Sequence, residues 1–409
     1  MKSGVTSLRS GLAIDGDTPF RQRPFAPWPH FQQEEMEAAA AVLRSGKVNY
    51  WTGEEGRLFE QEFAAFIGTH YAVALANGTV ALELALYALG IGPGDEVIVP
   101  SRTFIASASC AAMRGAVPVC VDVDRDSQTL TADTIRPALS HRTKAIIAVH
   151  LAGWPCDMDS ILSLARPLGI KVIEDCAQAL GATYKNRPVG SLGDAAAFSF
   201  CQDKILTTGG EGGMITTNDE EVWKCAWSFK DHGKSFEDAD QSQHPAEFRW
   251  LHDSFGTNWR LTEMQSAIGR VLLRKLPQMV SKRRALANIL TSHFSRNPLL
   301  RITLPPDQIG HAYYKHYAFL RPGRLTDDWN RDRMIAAISA EGIPCFSGSC
   351  SEIYLEKAFP QTMRPCQRLK VARELAETSL MFLVHPTLTP DDMEDTYGAV
   401  EKVTRVAAK

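Results

Sequence analysis

The chain is expected to fold as an α/β protein, with a mostly parallel central sheet flanked by helices and a smaller α+β domain toward the C-terminal end. Three observations lead there. Short β-rich runs alternate with stretches that carry apolar residues at helical spacing, such as Ala81, Leu82, Ala85, Leu86 and Leu89. The connections are rich in glycine and proline. Beyond Leu261 the texture changes to a long helical pattern followed by short mixed elements.

Residues 1–25 read as a loosely held arm. Residues 32–44 read as an amphipathic helix with Met36, Ala39, Ala40 and Leu43 on one face. Strand-like runs follow at 71–76, 96–100, 117–123, 144–150, 171–174, 195–200 and 213–217. Residues 262–294 are nearly continuous helix, expected to break near Pro277. The expected division is an arm at 1–25, a large domain at 26–275, and a linking helix with a small domain at 276–409.

The 409 residues correspond to about two to three domains at roughly 150 residues each. Lys plus Arg is 44 and Asp plus Glu is 47, a net charge of -3, which gives no broad basic face for nucleic acid or an anionic membrane. No apolar run reaches the roughly 18 residues of a membrane span, and residues 1–29 carry no apolar leader core. Nine dispersed cysteines, none in a Cys-x-x-Cys pair, read as reduced thiols of a cytoplasmic protein, with no disulfide framework and no metal site. The partner this leaves is a small molecule.

Ligands of open α/β sheets collect where strands end, so the residues at those ends carry the chemistry. The first strand runs into Asn77-Gly78-Thr79 and then a helix, whose free amides suit a phosphate, although taken alone such a turn is mostly an ordinary connection. The second runs into Ser101-Arg102-Thr103-Phe104, a helix cap followed by an aromatic. Asp175 follows an apolar strand, where a carboxylate needs a cation or hydrogen-bond donors unless it merely caps the next turn, and Gln178 lies three residues on. Lys204 stands between the apolar strand ending near Phe200 and the glycines Gly209, Gly210, Gly212 and Gly213 around Glu211. Those glycines match neither a dinucleotide nor a nucleoside-triphosphate spacing. A lysine for a Schiff base, a buried acid, a phosphate cradle and a flat ring are the set that pyridoxal 5'-phosphate requires.

At these residues the sequence resembles the DegT/StrS family of pyridoxal-phosphate-dependent sugar aminotransferases, which have the fold-type I architecture of aspartate aminotransferase. The likeness is an ordered series: NGTVALELAL at 77–86, VIVPSRTF at 97–104, VHLAGWPCDMD at 149–159, EDCAQALGA at 174–182, the Lys204 segment, and GTNWRLTEMQ at 256–265. The resemblance implies that Lys204 bonds the cofactor and shuttles the proton, Asp175 faces the pyridine nitrogen, Gln178 reaches the ring hydroxyl and Phe104 stacks. It implies that Gly78, Thr79 and Ser199 hold the phosphate. Asn258, a cofactor contact, and Arg260, a substrate candidate, lie on a segment that in the family crosses to the partner's site, so a homodimer with shared sites is implied. His150 and Tyr317 are further substrate candidates, each more readily read as a satisfied core residue.

The implied reaction moves an amino group from L-glutamate to a keto sugar, a nucleotide-linked 4-keto or 3-keto hexose, for surface polysaccharide or secondary-metabolite biosynthesis. A keto-cyclitol of the scyllo-inosose type, or another antibiotic precursor, is the alternative acceptor. The sugar-deoxygenating branch of the family carries histidine where this chain has Lys204. A non-catalytic sensor would want a DNA-binding segment that the sequence lacks, and a cysteine desulfurase would want a mobile cysteine loop that neither Cys176 nor Cys201 occupies. Two departures bear on the acceptor or the loop: the glycine run is one residue longer than in many members, and 345–354 lacks a histidine often found there.

Overall fold

The computed structural model describes residues 11–236 and 251–409. Nine short strands precede the long helix: β1 (Tyr71–Leu75), β2 (Glu96–Pro100), β3 (Val117–Val121), β4 (Thr143–Val149), β5 (Lys171–Asp175), β6 (Thr183–Tyr184), β7 (Arg187–Pro188), β8 (Ala195–Ser199) and β9 (Gly213–Thr217). Seven of them form one sheet in the order β1-β9-β8-β5-β4-β2-β3. All its neighbours pair in parallel except at β9, which runs against both β1 and β8. This is the fold-type I arrangement expected from the sequence.

Burial on both faces explains why the central strands read as unbroken apolar runs rather than alternating ones. Along β4, Ile147 and Val149 join a core with Leu82, Ala85 and Leu86 of the helix Gly78–Ala88, while Ile146 and Ala148 join a second with Ile161 and Ala165 of the helix Met158–Ala165. The register of β9 draws two other strand ends together: its first residue, Gly213, pairs with Leu75 on one side and with Ser199 on the other. The carboxyl ends of β1, β2, β4, β5 and β8 and the start of β9 therefore share one edge of the sheet.

The helix Glu263–Phe294 is continuous through Pro277, where a break was expected. Proline removes one backbone hydrogen bond, but Leu272, Leu273, Leu276 and Val280 on either side of it are buried against the large domain, and that packing outweighs the local penalty. The expected boundary at 275/276 falls inside this helix, which serves both parts of the molecule: its packing against the first runs to Val280, and the second core begins at Leu286. Four further strands, β10 (Leu300–Arg301), β12 (His316–Leu320), β14 (Ser379–Phe382) and β13 (Cys345–Phe346), pair antiparallel in that spatial order, while β11 (Ile309–Gly310) joins β6 and β7.

The described part of the N-terminal arm is tied down rather than loose. Leu12 is buried in the second core, the backbone N–H groups of Ala13 and Phe20 donate to the Glu341 carboxylate at 2.9 and 2.8 Å, and Arg21 pairs with Asp392 at 2.8 Å. Residues 1–10 lie outside the described residues.

Candidate active site

Asn77 caps the helix Gly78–Ala88, its side chain accepting from the Val80 N–H at 3.0 Å, so the amides of Gly78 and Thr79 at the helix start point free of the helix. Glycine is required at 78 by space, because a Cβ there would sit 2.6 Å from the Ser199 Cβ. A Cβ on Gly213 would likewise sit 2.3 Å from the Asn77 carbonyl oxygen. Backbone thus packs on backbone where β1, β8 and β9 meet, leaving two amides and the Ser199 hydroxyl around one point. That is an anion cradle.

Asp175 is the last residue of β5 and is 5% exposed. Its Oδ2 accepts from the Ser107 hydroxyl at 2.8 Å and its Oδ1 from the Ala177 N–H at 3.1 Å. Burial pushes this carboxyl above its ordinary value, against those two hydrogen bonds and the nearby Lys204 charge, which pull it down. Ser107 had no signal in the sequence; it comes from the helix Ala106–Met113 and is oriented in turn by Thr103 at 2.8 Å.

Gln178 accepts from the Ala152 N–H at 2.8 Å through Oε1, which turns its NH2 group the other way. Ala152 holds the left-handed conformation, φ 57°, to aim that N–H.

His150 is fully buried, and both its ring nitrogens are engaged within the chain. Its Nδ1 accepts from the Cys156 N–H at 3.0 Å, which leaves the ring proton on Nε2 to be donated to Glu174 at 3.0 Å. Glu174 also collects the N–H groups of Gly190, Leu192 and Gly193 at 2.9, 2.7 and 2.8 Å. Burial raises the Glu174 carboxyl, but the bonds from His150, Gly190 and Gly193 override it and hold the group below the usual range. The pair fastens the loop after β7 beneath the site. Cys176 lies beside the two, but the cluster does not offer a metal free donors, because both Glu174 oxygens are already bonded to backbone amides and to the His150 ring.

Lys204 lies on the loop between β8 and β9 with its side chain 18% exposed, its Nζ 3.7 Å from Asp203 Oδ1 and 5.1 Å from the centre of the Tyr314 ring. The Trp28 indole N–H donates to its carbonyl at 3.0 Å, and the Tyr314 hydroxyl donates to the other Asp203 oxygen. Trp28, Asp203 and Tyr314 were missed in the sequence because they are assembled from three distant segments. Phe104 is 66% exposed just after β2, which β4 separates from the strand of the buried carboxylate, and it leaves a flat apolar face open at that edge of the sheet.

Two other candidates are engaged within the chain. Tyr317 is nearly buried in β12 and its hydroxyl accepts from the Ser349 N–H at 2.9 Å. Arg260 donates to Asp231 at 2.5 Å, and Asp231 also accepts from the Trp51 indole at 2.8 Å. Asn258 is exposed, on a segment fixed to the edge of the sheet by the Ala76 N–H to Trp259 carbonyl bond at 2.8 Å.

The residues present fit a pyridine cofactor bearing a phosphate: an anion cradle that a Cβ would fill, a buried carboxylate, an open aromatic face and an amine meet on one sheet edge. Fold and site together define a pyridoxal-phosphate-dependent transaminase. The family model of the DegT/DnrJ/EryC1/StrS aminotransferases matches residues 29–401, and the chain belongs to that family. GDP-perosamine synthase of Caulobacter vibrioides is 38% identical over 361 residues, covering 86% of this chain and 92% of that protein. Among solved structures, the aminotransferase from Psychrobacter cryohalolentis superimposes with a TM-score of 0.91 at 52% identity, covering 93% of this chain and 99% of the other. DesV of S. venezuelae, solved with a ketimine intermediate, gives a TM-score of 0.83 at 33% identity, covering 92% and 98%.

Proposed function

We propose that this aminotransferase moves the amino group of L-glutamate to a nucleotide-linked keto hexose, with Lys204 as its catalytic residue. The observation that carries the reading is the meeting of the Lys204 amine, the Asp175 carboxylate and the Gly78–Ser199 cradle on one sheet edge, in a chain whose relatives include a synthase named for a GDP-linked amino sugar.

When bound, the cofactor supplies an electron sink that stabilises negative charge on the carbon next to nitrogen. The chain's own residues do the rest. The Gly78 and Thr79 amides and the Ser199 hydroxyl bind the phosphate. Asp175 holds a proton at the ring nitrogen, Gln178 offers its NH2 group to the ring hydroxyl, and Phe104 covers a face of the ring and excludes water. Lys204 Nζ takes the proton from the donor's α-carbon and would pass it to the cofactor carbon on the other side of the shared nitrogen, acting as general base and then acid. The Trp28 bond to the Lys204 carbonyl and the Asp203 carboxylate orient that amine.

Two chains pairing through the 253–260 segment accord with Phe255, which is 99% exposed, and with exposed Asn258, which would then serve the neighbouring cofactor. Nine unpaired thiols accord with a cytoplasmic location, and no helix among the described residues is long and apolar enough to cross a membrane. The test is to screen nucleotide-linked 3-keto and 4-keto hexoses with ¹⁵N-glutamate and follow the label by mass. Labelled amino sugar supports the reading; label passing only to a keto-cyclitol would replace the acceptor.

A further inference from the structure

Beside Lys204 the fold gathers two more cations that form no ion pair with an acidic side chain among the described residues. Arg283, from the helix Glu263–Phe294, is 1% exposed. Its Nη1 donates to the Tyr314 carbonyl at 3.2 Å and its plane covers the Trp28 ring at 5.3 Å, yet Nε and Nη2 are buried with no partner. Lys315 directly precedes β12, with Nζ 4.8 Å from the centre of the same Tyr314 ring that Lys204 approaches at 5.1 Å, and it has no hydrogen-bond or ion-pair partner among the described residues. Among the described residues the carboxylate that faces all three is Asp203, already bonded to the Tyr314 hydroxyl and close to Lys204. His385 stacks on Trp28 with ring centres 6.2 Å apart, and Asp392 is held by Arg21.

Buried cations without an ion-pair partner are costly unless a ligand supplies the charge. Desolvation, with Arg283 and Lys204 adding to it against Asp203, pulls Lys315 down to about 8. We infer that Arg283 and Lys315 form the subsite for a carboxylate of the amino donor, fixing its reacting carbon next to Lys204. A carboxylate suits the geometry because the two cations meet at one residue, Arg283 at the Tyr314 carbonyl and Lys315 over its ring, the ring that Lys204 Nζ also approaches. The inference rests on the proposed amino-acid donor.

The test uses cofactor-loaded enzyme. Glutarate, which has the carboxylates of glutamate but no amine, is titrated calorimetrically into wild type, Lys315→Met and Arg283→Lys, and the KM values for glutamate and for the keto acceptor are measured alongside. Because Arg283 is buried and its full removal endangers the fold, Lys315→Met carries the test. The expected result is a glutarate Kd and a glutamate KM raised about tenfold or more in Lys315→Met, a smaller rise in Arg283→Lys, and unchanged acceptor KM and cofactor absorbance. An unchanged glutarate Kd would overturn the subsite. So would a rise confined to the acceptor KM, which would assign the cations to the acceptor's phosphates. Wild type that binds glutarate but takes no amino group from glutamate would overturn the donor and leave the subsite standing.

Discussion

Gly78 and Ser199 leave no room between them for even a methyl group, since a Cβ at 78 falls 2.6 Å from the serine Cβ and 3.1 Å from its Oγ. Gly78→Ala must therefore push β8 away from the helix start. The expected outcome is a cofactor affinity lowered about tenfold or more and a protein destabilised by about 1–3 kcal/mol, read from absorbance titration and denaturant melts. Cofactor binding at wild-type strength would show that the phosphate lies elsewhere.

Asp175→Asn keeps the shape and removes the charge. Because the bonds to Ser107 and Ala177 can persist, the cofactor should still bind, while the half-reaction with the donor slows on the order of a hundredfold or more. Burial raises the Asp175 carboxyl above its ordinary value near 3.8, so its negative charge is present above that raised value and lost as pH falls through it. In the cofactor-free protein Asp175 should take up its proton at a higher pH than an exposed aspartate, read from the infrared carboxyl band, and that band should be absent in the Asn variant.

His150→Gln separates a substrate contact from a brace. The buried ring serves Glu174 and Cys156, so the variant should lose about 1–3 kcal/mol of stability while both KM values stay as they are. A shifted KM at unchanged stability would return His150 to the substrate.

Three histidines of the second domain and its edge set an acid limit on stability. Burial holds His311 at about 3 and His316 at about 4, and burial aided by Arg283 and Lys315 holds His385 at about 3. An unfolded histidine takes its proton near about 6.5, so between that pH and these lowered values the unfolded chain binds more protons and stability falls as pH falls. Each should contribute a loss of at most about 2 kcal/mol at pH 5 relative to neutral pH. Denaturant midpoints at pH 7.5 and 5 measure it, and His316→Phe should flatten the dependence.

What the sequence made legible is what is encoded locally. The seven strands of the large sheet were placed to within about two residues, since each is an apolar run with its own stop signal, and the residues ending them, Gly78, Asp175 and Ser199, fell together because strand ends share an edge. Pro277 misled because a local breaker rule carries no information about the packing of Leu272 to Val280 around it. Trp28, Ser107, Asp203, Arg283, Tyr314 and Lys315 were invisible for another reason: they come from five segments, and nothing in their spacing announces that they meet. Glu174 could have been found, being a second carboxylate inside an apolar strand with a glycine-framed loop, 190–193, to supply its donors.

Two amines flank the Tyr314 ring, and only Lys204 is assigned the covalent role. Reduction of the cofactor-loaded enzyme with borohydride, followed by proteolysis and mass mapping, tests that assignment most directly. The reduced cofactor is expected on the peptide containing Lys204 and nowhere else. Finding it on Lys315, or finding no lysine modified, would contradict the assignment.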